Sequence, residues 1–217
     1  MLVALVLAAA LAQDPPADAP RRVRGLANGR LALVRKVISD PELVRAISAK
    51  NKVTESESEV KKKDADWQRD RELPLRKQIS SNECAVRLKE VVQEDPAISE
   101  AYLMDNRGAL VCSLGDVSDY WQGDEPEFQR TFGQGQFLFV GDPAADPLTG
   151  DWTVPISMVV LDGPTKVGAA TLTLRVTPAM LAPPTTSTPA TPATDPPAAA
   201  TLPPATVAPT PTPSPLP

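Results

Sequence analysis

Histidine does not occur anywhere in the 217 residues. That absence removes Ser-His-Asp and Cys-His catalysis, histidine general bases and histidine-bearing zinc sites together. Cysteine occurs only twice, too few for a four-cysteine zinc site. Basic residues are outnumbered, 22 against 27 acidic, for a formal charge of −5 and a pI near 4.9. Phosphate contacts need a concentrated basic surface, so nucleic acid is not an expected partner. The basic clusters are Arg21-Arg22-x-Arg24 and Lys61-Lys62-Lys63, and flanking Glu and Asp make the second a solvated helix face. On these grounds the chain is not expected to be an enzyme, and no cofactor is expected. The pair Asp119 and Asp124 is the residual candidate for carboxylate acid/base chemistry, which needs a separation that sequence does not set. The acids of Asp142–Asp151 lack the alternate spacing and distal Glu of a calcium loop and read as an exposed connection, so no metal is expected.

A membrane-length apolar run is also missing. Met1–Ala12 is apolar but too short to span a bilayer, and it ends in Ala10-Leu11-Ala12, a small-x-small pattern suited to signal peptidase. A cleaved signal peptide over 1–12 is the expectation, atypical in having no Lys or Arg before Arg21. Residues 177–217 hold 14 of the 25 prolines, mostly with Thr and Ala, and Asp195 is their only charge. Such a stretch buries too little apolar surface to offset its ordering entropy, so a disordered spacer or glycosylated stalk is expected there. With 13–29 as a linker, the foldable part is 30–176, the size of one domain.

Asp40-Pro41-Glu42 is a helix start, with Asp40 as N-cap and Pro41 at the first helical position. Leu31, Val34 and Ile38 recur at helical spacing before it, and Leu43, Val44 and Ile47 form a stripe after it. From Thr54 to Asp70 the chain is nearly all polar, with Glu57–Lys61 and Glu59–Lys63 pairs at i,i+4. One long helix over 41–70 is expected, about 45 Å at 1.5 Å per residue, with Trp67 marking where its far end docks. Ser80-x-x-Glu83 reads as a capping box for a second, short helix whose apolar face carries Cys84, Leu88, Val91 and Val92. The period then switches to two. Residues 98–104 and 109–114 form a hairpin, 134–140 a strand, and 152–161 with 166–176 a second hairpin. Helices followed by antiparallel strands describe an α+β domain.

Aromatic residues are few, nine in all, yet four of them lie between Tyr120 and Phe132. Glu125-Pro126 starts a short helix that sets Phe128 and Phe132 at i,i+4, facing the core. Tyr120, Trp121, Asp119, Gln122 and Asp124 precede it in a loop, an aromatic wall with a few polar groups of the kind small-molecule pockets use. The same aromatics would serve equally as anchors that plug a core.

Three stretches together resemble the single Cache (PDC-fold, PAS-like) extracytoplasmic sensor domain. They are Ala101-Tyr102-Leu103-Met104-Asp105-Asn106-Arg107-Gly108-Ala109-Leu110-Val111, then Ser118-Asp119-Tyr120-Trp121-Gln122-Gly123-Asp124-Glu125, then Asp162-Gly163-Pro164-Thr165-Lys166-Val167-Gly168-Ala169. The resemblance covers residues 30–176. It implies a long N-terminal helix and a short helix on a five-stranded antiparallel PAS-like sheet. It also implies a small-metabolite ligand, an amino acid or carboxylate, held over the sheet near residues 118–125. Tyr102 joins the five loop residues as a ligand-binding candidate, and Arg107, Lys166 or Arg175 would supply a cation for an anionic ligand. Family members sit between two membrane anchors. With a cleaved signal and a proline-rich tail instead, the expectation here is a free-standing periplasmic or secreted module that does not span the membrane. Its candidate protein partners are a membrane receptor or another envelope protein. The alternative is a structural or interaction module of the cell envelope whose pocket is filled by its own side chains. In an exported protein Cys84 and Cys112 are either bridged or two small buried thiols.

Overall fold

The computed structural model describes residues 17–182. The expected signal peptide, and the proline-rich tail from 183 onward, lie outside the described residues. The described residues all belong to one compact unit.

Among the described residues six helices precede the sheet: α1 (Ala19–Asn28), α2 (Leu31–Ile38), α3 (Pro41–Lys50), α4 (Glu57–Arg69), α5 (Pro74–Ser81) and α6 (Glu83–Val92). Asp40 caps α3 as expected, accepting from the Glu42 and Leu43 amides at 3.0 and 3.2 Å. The expected single helix over 41–70 is divided. Asn51 ends the first half by donating to the Val167 carbonyl at 2.7 Å while accepting from the Asn106 amide at 3.0 Å. Ser56 then starts the second half with a capping box to Glu59. Two helices thus pack on different surfaces where one rod would have projected. The box expected at Ser80 is absent. The Ser80 hydroxyl donates back to the Arg76 carbonyl at 2.9 Å, and Asn82 caps α6 by accepting from the Ala85 amide at 2.9 Å.

The sheet comprises β1 (Ile98–Met104), β2 (Leu110–Leu114), β3 (Leu138–Val140), β4 (Ala144–Ala145), β5 (Trp152–Asp162) and β6 (Thr165–Val176). It is antiparallel in the order β2-β1-β6-β5-β3, with the short β4 also on β5. Both expected hairpins and the α+β class are present. Between β2 and β3 runs the expected short helix, α7 (Pro126–Phe128), continuing into a π-helical turn over Gln129–Gly133. Residues 134–136 bond back to that turn, so the strand expected from 134 starts only at 138.

Two boundaries differ from expectation. Residues 19–28, taken as linker, form α1 and bury Ala19, Val23 and Ala27 in the main core. Their i,i+4,i+8 spacing is helical, but small residues give a faint signal. Beyond residue 176 the chain forms α8 (Pro178–Leu181), and Leu181 is buried in the same core.

The sheet has two buried faces. On one, Leu103, Cys112, Ile156, Met158, Leu172 and Leu174 pack against apolar side chains of α1, α2, α3 and α6. On the other, Tyr102, Met104, Leu110 and Ala169 meet Val60, Trp67, Ile79, Tyr120 and Phe128. Cys84 of α6 is bridged to Cys112 of β2 across a sequence separation of 28, with Cα atoms 5.7 Å apart. The pair left open by the sequence is therefore a disulfide.

Candidate functional site

The second sheet face has a polar floor. Pairing across the strands places Ser113, Tyr102, Thr171, Ser157 and Phe139 in one row from β2 to β3. Ser113, Tyr102, Thr171 and Ser157 are all buried. Thr171 Oγ1 lies 3.1 Å from Ser157 Oγ. In the next row Glu100 faces Thr173, with 3.3 Å between Oε2 and Oγ1. None of these but Tyr102 was singled out from sequence. Alternate polar residues in a strand look like a solvent face, and only the helices packed over them bury the row.

Residues 115–125 close over this floor and are held by α4. One carboxylate oxygen of Asp64 accepts the backbone amides of both Tyr120 and Trp121 at 2.9 Å. Gln68 donates to Asp119 at 2.7 Å, and the Trp67 indole donates to the Val117 carbonyl at 3.0 Å. Trp67 is therefore the docking residue expected of it. From the other side the Trp121 indole donates to the Arg107 carbonyl at 2.7 Å, and the Gln122 amide donates to the Gly108 carbonyl at 2.8 Å. Gly108, at φ +83°, is irreplaceable in this contact, because a Cβ there would meet the Gly123 Cα at 2.5 Å.

The candidates taken from sequence separate on this frame. Tyr120 is only 1% exposed and packs its ring 6.0 Å from that of Trp67, so it fills space beneath the loop. Gln122 is buried, with its amide spent on the Asp119 carbonyl. Trp121 and Asp119 are partly exposed and Asp124 is exposed, along the outer rim. Tyr102 lies in the floor rather than the loop. Phe128 and Phe132 lie together as the i,i+4 spacing predicts, with their rings stacked at 5.1 Å, the first buried and the second partly so. The three expected cations all hold structural partners. Arg107 bonds Asp105 and the Val53 and Glu55 carbonyls, Arg175 bonds Asp151, and Lys166 bonds the Phe132 carbonyl. Each of the three therefore has a role in the fold itself.

Carboxylates surround the aromatic centre, and burial dominates their titration. It raises Asp64 above the ordinary range, helped by Asp119 and Asp124 and opposed by the two amides it accepts. Burial likewise raises Glu100, with Thr173 opposing and Asp116 adding to it. Glu125 is raised by burial and then by Glu127, Asp124 and Asp119. The Tyr120 phenol is pushed up to about 12 and that of Tyr102 upward too, in both cases chiefly by burial.

No helix among the described residues is long and apolar enough to cross a membrane. No family model matches the sequence, and no curated protein matches it. Solved structures do. The ligand-binding domain of the Pseudomonas aeruginosa amino acid chemoreceptor PctC with GABA is similar at 14% identity and a TM-score of 0.44, over 72% of this chain and 56% of that one. The sensor domain of the Vibrio cholerae histidine kinase DctB is similar at 16% identity and 0.39, over 71% and 52%. The ligand-binding domain of a Campylobacter jejuni chemoreceptor with 4-methylisoleucine is similar at 12% identity and 0.39, over 71% and 53%. This chain spans little more than half the length of each of these domains.

Proposed function

We propose that the chain is an exported, sensor-type ligand-binding domain of the Cache kind that takes up a small metabolite, an amino acid or carboxylate, without chemical turnover. The observation that carries this reading is the build of the second sheet face. A plug of core would be apolar on both sides. Here four buried side-chain hydroxyls form the floor, beside a half-buried carboxylate, under a loop pinned by side-chain hydrogen bonds rather than by strand pairing alone. Floors of that composition orient polar ligands. Absence of histidine speaks against hydrolytic turnover at the same place.

A second reading, a structural or interaction module, is favoured by one specific observation. Tyr120 and Trp67 already fill the space under the loop. The test is a thermal-shift screen of the full chain against amino acids, amines, organic acids and purines, with GABA and 4-methylisoleucine included. A ligand at a hundred times its Kd adds about 2.7 kcal/mol of stability. The sensor reading expects a hit that Tyr102→Phe and Trp121→Ala each weaken while both variants stay folded. If no class shifts the melt, the filled-pocket reading stands in its place.

A further inference from the structure

Beside the pinned loop, on its α5 side, lies an open groove of about 360 Å³ whose walls include Trp67, Arg71, Arg76, Ser80, Ser113 and Asp116. None of these was a sequence candidate for ligand contact. In a chain of net charge −5 this groove carries two arginines and one carboxylate.

The two arginines are built differently. Arg76 is fixed: its side chain is 13% exposed, its guanidinium sits 4.3 Å from the centre of the Trp67 ring, and it donates to the Trp67 carbonyl at 2.7 Å and the Asp70 carbonyl at 3.2 Å. Such a guanidinium is already desolvated and oriented, so little rotamer entropy remains to be lost when it binds an anion. Its NH1 reaches Asp116 at 3.3 Å and the Val117 carbonyl at 3.5 Å, both long contacts. Arg71 is 65% exposed and bonds both oxygens of Asp116 at 2.7 and 2.6 Å.

Asp116 itself is 71% exposed, on the turn where Gly115 at φ +83° passes over the Ser99 carbonyl. Exposed ion pairs of this kind contribute little net stability, so they exchange readily. Ser113 is buried at the base, and Glu100 beneath Gly115 is engaged by Thr173.

We propose that this groove is an anion site for small carboxylate-bearing molecules, in which Asp116 is a tethered carboxylate that a free one displaces. Arg76 is the fixed half of the clamp, Arg71 the closing half, and Ser113 and Ser80 line the base. Ser113 is shared with the floor of the sheet face but neither arginine is, so the proposal does not rest on a ligand there.

Acetate and succinate, titrated into the full chain at constant ionic strength with chloride as the balancing anion, test it by calorimetry. Arg76→Gln risks the fold, because three carbonyls depend on it, so the exposed partners are changed instead. Asp116→Asn removes the internal competitor and is expected to tighten succinate binding roughly fivefold, the weight of one exposed pair. Adding Arg71→Gln to that variant is expected to reverse the gain. Saturable binding that follows this order, and is unmoved by Tyr102→Phe, supports the site. Lack of saturable binding in Asp116→Asn overturns it, as does binding indifferent to Arg71. Binding lost with Tyr102→Phe would instead place the anion on the sheet face, and that too overturns the groove.

Discussion

Asp64 shows how much one side chain decides. It lies on a helix that is polar almost all round, where a carboxylate is ordinarily just solvated. Here it receives two consecutive backbone amides that would otherwise be left without partners as the loop closes. Asp64→Ala is expected to lower stability by about 1–3 kcal/mol in urea denaturation, and Asp64→Asn by less, since the amide oxygen still accepts. Equal midpoints for the wild type and the Ala variant would show that the loop closes without this clamp. Glu100 is expected to act through pH. Its folded-state pKa lies above the unfolded value because burial disfavours the charge. Between those two values the folded state binds more protons, so the contribution of Glu100 is fully present below about 4.5 and is lost as pH rises through the folded value. The melting temperature of the wild type minus that of Glu100→Gln should therefore fall across the window just above pH 4.5. A flat difference between pH 4 and 8 would contradict the burial of that carboxylate. Neither residue announces itself in the sequence, because a carboxylate reads as surface until something packs over it.

At the level of elements, hairpins were legible and helix ends less so. The β1–β2 and β5–β6 hairpins follow from alternation and from turns rich in Asp, Asn and Gly, which act locally. The break between α3 and α4 does not, because it depends on Asn51 meeting a turn and a strand more than fifty residues away. The capping box that restarts the chain at Ser56 was there to be found, but it stands in a polar run with no apolar stripe to mark it. Ser56→Ala is expected to lower stability by about 1 kcal/mol, read from the denaturation midpoint. The Cys84–Cys112 bridge joins α6 to the edge strand β2. Closing a loop of that length stabilises by roughly 3–4 kcal/mol in the chain-entropy model. The Cys84→Ser, Cys112→Ser double variant should lose about that much, and an unchanged midpoint would mean the unfolded chain is already compact near the bridge.

Over the whole molecule, the folded unit is longer at both ends than the 30–176 inferred from composition. Its N-terminal helix buries Ala19, Val23 and Ala27, and Leu181 seals the other end of the same core. A chain ending at 183 should therefore exceed one ending at 176 in stability by about 2 kcal/mol, the burial of one leucine. Equal unfolding free energies would return the boundary to 176. Both ends were misjudged for one reason. Small apolar residues and a proline-flanked leucine carry little pattern of their own, and their burial depends on a sheet formed by residues far from them in sequence.

By itself the amino-acid sequence determined the α+β class, the two hairpins, the Asp40 cap, the placing of Phe128 and Phe132 four residues apart on one face, and the absence of histidine chemistry. Each of these rests on periodicity, on backbone preference or on composition, which need no distant partner. Only the tertiary structure decided which aromatics are buried. It sent Tyr120 inward against Trp67, left Trp121 on the rim, and spent Arg107, Lys166 and Arg175 on structural bonds. It also brought Ser113, Tyr102, Thr171 and Ser157 into one row, and Arg71, Arg76 and Asp116 into one groove. Those groups come from separate strands, helices and turns. Their meeting depends on strand register and on helix packing across the sheet, both set by the sum of many long-range contacts rather than by any local stretch of residues.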